Sequence, residues 1–380
     1  MSTTSQKMKQ RSLQPVAIII SIIIIIGAFV FYALHNNKSA TDGKGDTSIN
    51  TLPADVKVML SGAGSSFAYP IYTKMIDEYR NRSGTETTYE SIGSGAGIKK
   101  LVARNVDFGA SDAFLSNDEM AMFPAPVVQF PTCLGAVVLT YNLPGNPELN
   151  LSPDVIADIF LGKVTKWNDK RIKEENKDAK LPDLDITVVH RSDGSGTSYI
   201  FTDYLSKISD EWKSKVGSAK LPSWPIGQGG NGSEGVAQII KFKPGTIGYV
   251  ELVYALQKFM DVANVKNSSG KYIKPSLEST TVAGNIDIPA DTRISITNSP
   301  VSDAYPICSF TWIMLYKEQS YNGRTKAQVT DMMKELWWMI HNDGQQYAKP
   351  LNYAPLPQNA MLAAENVLKS VTYNGEPVLQ

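Results

Sequence analysis

Two cysteines in 380 residues exclude a disulfide scaffold and a cysteine-rich zinc or iron–sulfur site, and three histidines leave little material for a histidine metal centre. No surplus of charge exists either. Lys plus Arg number 37 and Asp plus Glu number 37, so nothing is left over to displace counterions from a phosphodiester backbone, and nucleic acid is not an expected partner. Enzyme signatures are missing as well. Gly95 stands where a nucleophile elbow over Gly93 to Gly97 needs serine, and Gly162-Lys163 runs into Val164 with no upstream glycine at the phosphate-loop spacing. No repeat of roughly 20 to 50 residues marks a solenoid. What remains is an ordinary globular composition, 42% hydrophobic and 19% charged, in a chain long enough for two domains and needing no cofactor.

The one long apolar run is at residues 16–34, VAIIISIIIIIGAFVFYAL, long enough to cross a bilayer core of about 30 Å. Lys7, Lys9 and Arg11 precede it without an acidic residue, which predicts a cytoplasmic segment 1–15, a transmembrane signal anchor over 16–34 and an exported body. A cleaved signal peptide is the competing reading, disfavoured by the length of the run and the lack of a good small-residue cleavage site. Segment 35–53 is polar and aperiodic, a tether with an average reach of roughly 25 Å.

From residue 54 the chain alternates short β-rich runs with helical stripes, which predicts an α/β architecture. One unit recurs three times: a strand, a glycine-serine turn, then a helix. Residues 56–60 lead into GAGSSF and a helix through Tyr72, Met75, Ile76 and Tyr79. Residues 87–92 lead into GSGAG and a helix through Ile98, Leu101 and Val102. Residues 186–190 lead into RSDGSGTS and a helix through Tyr204 and Ile208. Ser152-Pro153 predicts a capped helix start, residues 129–141 and 305–316 read as buried strands, and residues 227–235 as a glycine-rich loop. Trp337-Trp338 and Met332-Met333 read as core or domain-interface residues of a helix over 327–341 rather than a ligand-stacking box.

A single glycine-serine turn before a helix is usually only a cap. Three of them, one carrying Arg191, offer free backbone N–H groups, hydroxyls and helix dipoles to a tetrahedral oxyanion, with Asp193 placed to hold the guanidinium. His190 beside Arg191 points to the opposite face of its strand and reads as packing. Read in order, GAGSSFAYPIY, YESIGSGAGIKKLVARNVDFGASDAFLS, QFPTCLGAVVLTYN, IFLGKVTKWND, VVHRSDGSGTSYIFTDYL, WPIGQGGNGSEGVA and PGTIGYVE resemble the phosphate-binding proteins of bacterial high-affinity phosphate ABC transporters, over nearly all of residues 60–357.

The resemblance implies a two-lobed periplasmic-binding-protein (type II) fold with a cleft between the lobes, here preceded by one N-terminal transmembrane helix. Lobe I is expected at 54–141 plus 307–380 and lobe II at 142–306. It implies that inorganic phosphate is bound in the cleft and handed to the permease subunits of an ABC transporter, without catalysis. Carried onto this chain, the phosphate contacts are Ser66, where the family often has Thr, Phe67 through its N–H, Ser94, Asp112, Arg191, Ser195, Gly196 and Thr197, with Asp193 orienting Arg191. The apolar run adds an anchor in the cytoplasmic membrane where members of the family commonly have a cleaved signal or a lipid-bearing cysteine, so the expected location is the periplasmic face, or free periplasm if the signal is cleaved. Rival readings are a carrier of sulfate, molybdate or arsenate, a phosphatase using Ser94 or Ser195, and an anchored phosphate sensor. Whether Cys133 and Cys308 pair stays open.

Overall fold

The computed structural model of the chain describes residues 59–379. The apolar run, the tether and the expected transmembrane helix lie outside the described residues. Among those described, no helix is long and apolar enough to cross a membrane.

Strand β1 (Met59–Gly64) leads into helix α1 (Tyr69–Ser83), where Pro70 opens the first turn and Gly84 closes the last one in the left-handed conformation. Strand β2 (Glu86–Ser91) is followed by helix α2 (Ser94–Val102) and strand β3 (Phe108–Ser111). Next comes β4 (Val127–Tyr141), fifteen residues long and buried nearly throughout. Strand β5 (Thr187–Arg191), helix α3 (Gly196–Ile208), strand β6 (Gln228–Gly230), helix α4 (Gly232–Phe242) and strand β7 (Thr246–Glu251) build the second half. The chain returns through β8 (Cys308–Tyr316) to the long helix α5 (Lys326–Ile340) and to α6 (Gln358–Lys369).

The main sheet runs β2-β1-β3-β8-β4-β7-β5-β6. β1, β2 and β3 are parallel, as are β5, β6 and β7, whereas β8 and β4 run antiparallel to their neighbours. Residues 127–136 of β4 pair with β8 and residues 137–141 pair with β7, so one strand serves two lobes. Each lobe is thus a short parallel sheet with helices packed on it, and β4 carries the chain between them.

Two expectations shift at the turns. Gly62 and Gly64 belong to β1, so the first turn starts at Ser65, and Gly95 and Gly97 lie inside α2, so the second is only Ile92-Gly93. Close approach explains both. A Cβ on Gly64 would fall 2.0 Å from the Ala110 carbonyl oxygen, and one on Gly97 would fall 2.4 Å from the Gly64 Cα. These glycines let helix and strands touch, a use that sequence reading takes for a loop. Ser152 starts the helix Pro153–Phe160 without a side-chain cap bond. Met332, Met333 and Trp338 are core, while Trp337 is partly exposed and stacks on His341. Cys133 and Cys308 are both free and buried. Cys308 faces Ala136 and Cys133 faces Thr311 across the β4–β8 ladder, an offset of about 10 Å that no disulfide spans.

Candidate anion-binding cleft

In a parallel sheet the strand ends and the helix starts that follow them share one edge. Here those edges from both lobes face each other. The first lobe supplies Ser65 and Ser66 before α1, Ser94 at the start of α2, Asp112 just past β3, and Thr311 from β8. The second lobe supplies Arg191 at the end of β5, Ser195 to Thr197 at the start of α3, Ser233 at the start of α4, and Glu251 at the end of β7. All of these side chains are buried, Arg191 at 2% exposure.

Arg191 is the centre. Its Nε and Nη2 donate to the two carboxylate oxygens of Asp193 at 2.7 and 2.5 Å, and Asp193 also accepts the Gly232 N–H at 3.0 Å. Burial pushes the Asp193 carboxyl up, but the bonds and charge of Arg191 outweigh it and hold the carboxyl below its usual range. For Arg191 burial opposes the charge, and Asp193 again outweighs it. The remaining nitrogen, Nη1, crosses the cleft to Ser66 Oγ at 3.1 Å and reaches Ser233 Oγ at 2.9 Å.

Asp112 is buried on the first lobe's side. Its Oδ1 accepts from Ser65 and, at 2.8 Å, from Thr311; its Oδ2 has only a long contact of 3.4 Å from Ser94. Burial pushes Asp112 up to about 7, against the Ser65 bond, and the Glu251 carboxylate pushes the same way. Ser94 Oγ accepts the N–H groups of Asp112 at 3.3 Å and of Gly196 at 3.1 Å. Ser195 caps α3 by accepting the Ser198 N–H at 3.1 Å, which leaves its hydroxyl proton free to donate. Thr197 donates to Glu251 at 2.6 Å. Phe67 is held by its carbonyl, which accepts from Tyr353 at 2.5 Å, and by its ring, packed edge-on to Tyr353.

The lobes touch directly over this cluster. Gly95 N–H donates to the Gly194 carbonyl at 2.8 Å, and a Cβ on Gly196 would fall 2.5 Å from Ser94 Oγ. Lys220 on the second lobe pairs with Glu119 on the first at 2.7 Å. Every residue expected from the sequence therefore falls in one place. His190 does point away, stacked on Trp224 at 4.8 Å.

Sequence reading missed Ser65, Ser233, Glu251 and Thr311. Ser233 stood in the glycine-rich loop 227–235, whose helix start is a fourth copy of the same device. Glu251 left a signal too: it is an acidic residue ending an otherwise apolar strand, TIGYVE. Among the described residues no group of three or more His, Cys, Asp or Glu is placed to hold a metal ion.

Chemically, the cleft presents hydroxyls, backbone N–H groups, helix starts and one fixed guanidinium, with Asp112 Oδ2 as an open carboxylate acceptor among them. That set suits a tetrahedral oxyanion that carries a proton.

The family description "PBP superfamily domain" matches residues 37–340. Phosphate-binding protein PstS of Xylella fastidiosa (strain Temecula1) is 41% identical over 340 residues, spanning 87% of this chain and 91% of its own. The protein of the same name from Methanocaldococcus jannaschii is 36% identical over 358 residues, with 86% and 90% covered. Among solved structures, a high-affinity periplasmic phosphate-binding protein (PfluDING) bound with phosphate superposes with a TM-score of 0.63 at 19% identity, covering 80% of this chain and 92% of that one. A two-lobed α/β fold with a donor-lined cleft between its lobes defines a periplasmic-binding-protein-like receptor. Within that class, the chain belongs to the phosphate-binding protein PstS family.

Proposed function

We propose that the protein binds inorganic phosphate in the closed cleft and delivers it to the permease of an ABC transporter. One observation carries the reading: a buried arginine, fixed on one edge by Asp193, stands opposite a buried carboxylate, Asp112, in a site otherwise rich in donors. Arg191 Nη1, the hydroxyls of Ser66, Ser94 and Ser195 and the N–H groups of Phe67, Gly196 and Thr197 grip the phosphate oxygens, displacing the bonds these groups make to one another. Asp112 Oδ2 accepts the proton that phosphate keeps at neutral pH. Nothing in this scheme makes or breaks a bond in the ion, so the protein is a receptor and not an enzyme. The lobes divide near residues 141 and 306, with β4 and the start of β8 as crossings.

Relatives named phosphate-binding proteins and a structural neighbour with phosphate bound support the ion's identity. Calorimetric titration of the full chain with phosphate, arsenate and sulfate tests it. Phosphate and arsenate, which share shape and protons, should bind, and sulfate should be weaker by a factor of about 10³ or more. Sulfate binding as tight as phosphate would overturn the reading. We also propose that residues 16–34 stay attached and anchor the body at the periplasmic face of the cytoplasmic membrane. A mature N-terminus found by peptide sequencing between residues 36 and 51 would contradict it.

A further inference from the structure

Glu251 is 1% exposed and sits at the end of β7, on the floor of the second lobe's half of the cleft. One of its oxygens, Oε1, takes the protons of two hydroxyls from two different helix starts, Thr197 at 2.6 Å and Ser233 at 2.8 Å. The other, Oε2, is buried without a hydrogen-bond partner. A hydroxyl has one proton, so Ser233, having given its own to Glu251, meets Arg191 Nη1 as an acceptor. The guanidinium is therefore held on both edges: by Asp193 on one, and through Ser233 by Glu251 on the other.

The charges do not balance. Around one arginine stand three carboxylates, Asp112, Asp193 and Glu251. The other titratable groups that feel Glu251 are the buried hydroxyls of Tyr254 and Tyr353, which are neutral and pushed further up by burial and by its charge. The next cation toward the cleft mouth, Lys220, is bonded to Glu119. A further anion entering such a site is repelled unless protons come with it, either its own or one held by Asp112, which burial pushes up to about 7.

We propose that Glu251 is a second specificity-determining carboxylate of the cleft, a positioning residue that fixes the Thr197 and Ser233 hydroxyls and makes anion entry depend on protons. The inference rests on the phosphate reading and deepens it. A fully deprotonated oxyanion such as sulfate then faces two buried carboxylates, Asp112 and Glu251, whereas phosphate brings at least one O–H to answer them.

The test uses the full chain, titrated with phosphate and with sulfate between pH 6 and 8, in two buffers of different ionisation heat so that protons taken up on binding are counted. Phosphate binding by the parent checks the underlying reading on its own; the variants check the inference. Glu251→Gln should improve sulfate relative to phosphate by at least about tenfold, because a like charge in a dry interface is worth that much or more. Because the Glu251 charge helps push Asp112 up, the variant should also move the pH profile and the proton count that Asp112 gives to phosphate binding. Ser233→Ala removes one of the two hydroxyls that hold Glu251 and the acceptor it offers to Arg191 Nη1, so sulfate should gain on phosphate here too, by less than in Glu251→Gln. Should Glu251→Gln not fold, Ser233→Ala decides alone. Parental sulfate-to-phosphate ratio, pH profile and proton count in the variants that fold would overturn the proposal.

Discussion

Asp112 shows how a single side chain sets ion choice. Ser65 and Thr311 occupy one of its oxygens, leaving Oδ2 with the 3.4 Å contact to Ser94 as the open acceptor. Asp112→Asn keeps the shape, removes the charge and adds a donor. We expect phosphate to weaken by roughly tenfold, and its preference over sulfate to fall by roughly a hundredfold or more, since a buried group left unpaired carries most of the rejection. Arg191→Ala should instead weaken both anions, by roughly 2–5 kcal/mol. Calorimetry on the two variants separates these outcomes; an Asp112→Asn protein as selective as the parent would show that the aspartate does not choose the ion. Glu335 on α5 is a second residue with a consequence, far from the cleft. It is buried, accepts from Thr87 at 2.6 Å and leaves Oε1 without a partner. Burial pushes its carboxyl up to about 7, against the Thr87 bond. Because the folded form holds its proton more tightly than the unfolded one, its contribution is fully present below about pH 4.5 and is lost as pH rises through 7. Denaturant unfolding of Glu335→Gln should lose roughly 2 kcal/mol of the parent's decline in stability between pH 5 and 8. An unchanged slope would mean that Glu335 is ionised in the native state throughout.

At the scale of elements, each helix start near the cleft depends on how closely its first turn approaches something else. Gly97 brings α2 onto β1, which places Ser94 beside Asp112. Gly196 does the corresponding job for α3 across the lobes, with room for no Cβ between Ser94 Oγ and Asp112. Gly196→Ala is compatible with a helical backbone and sits at a surface that separates when the lobes part. Its expected effect is therefore on closure rather than folding: phosphate binding should weaken by roughly a hundredfold, and the apo melting temperature should shift by only a few degrees. A variant that melted far below the parent without phosphate would show that the clash lies within a lobe.

At the scale of the molecule, two lobes share β4, and the donors of one ion come from both, so binding and closing are one event. Hinge motion about such crossings is an established mode of ligand capture. Contacts that close the cleft include Gly95 to Gly194, Gly196 to Ser94, Arg191 to Ser66, Tyr254 to the Ser66 carbonyl at 3.0 Å, and the Lys220–Glu119 pair at the mouth. We expect small-angle scattering to show a more compact body with phosphate than without. Lys220→Ala removes a partly buried pair that joins the two lobes, so phosphate should dissociate about fivefold faster, with little change in association. An unaltered off-rate in stopped-flow release would assign the pair to the surface alone.

Several features were legible in the chain without its fold. The strand–turn–helix units, Arg191 with Asp193 two residues on, and the long apolar strands follow from local periodicity, capping preference and side-chain chemistry, which act over a few residues. That Arg191 and Ser66 meet is not local, because 125 residues separate them and only the pairing of β4 with both β7 and β8 brings their sheet edges together. The same holds for Glu251 and Ser233, which as sequence are the end of a strand and part of a glycine-rich loop. Gly62, Gly64, Gly95 and Gly97 carry the clearest lesson. Glycine favours a turn when only neighbours along the chain are considered, whereas here a strand or turn from elsewhere occupies the space a side chain would need, and close packing decided the outcome.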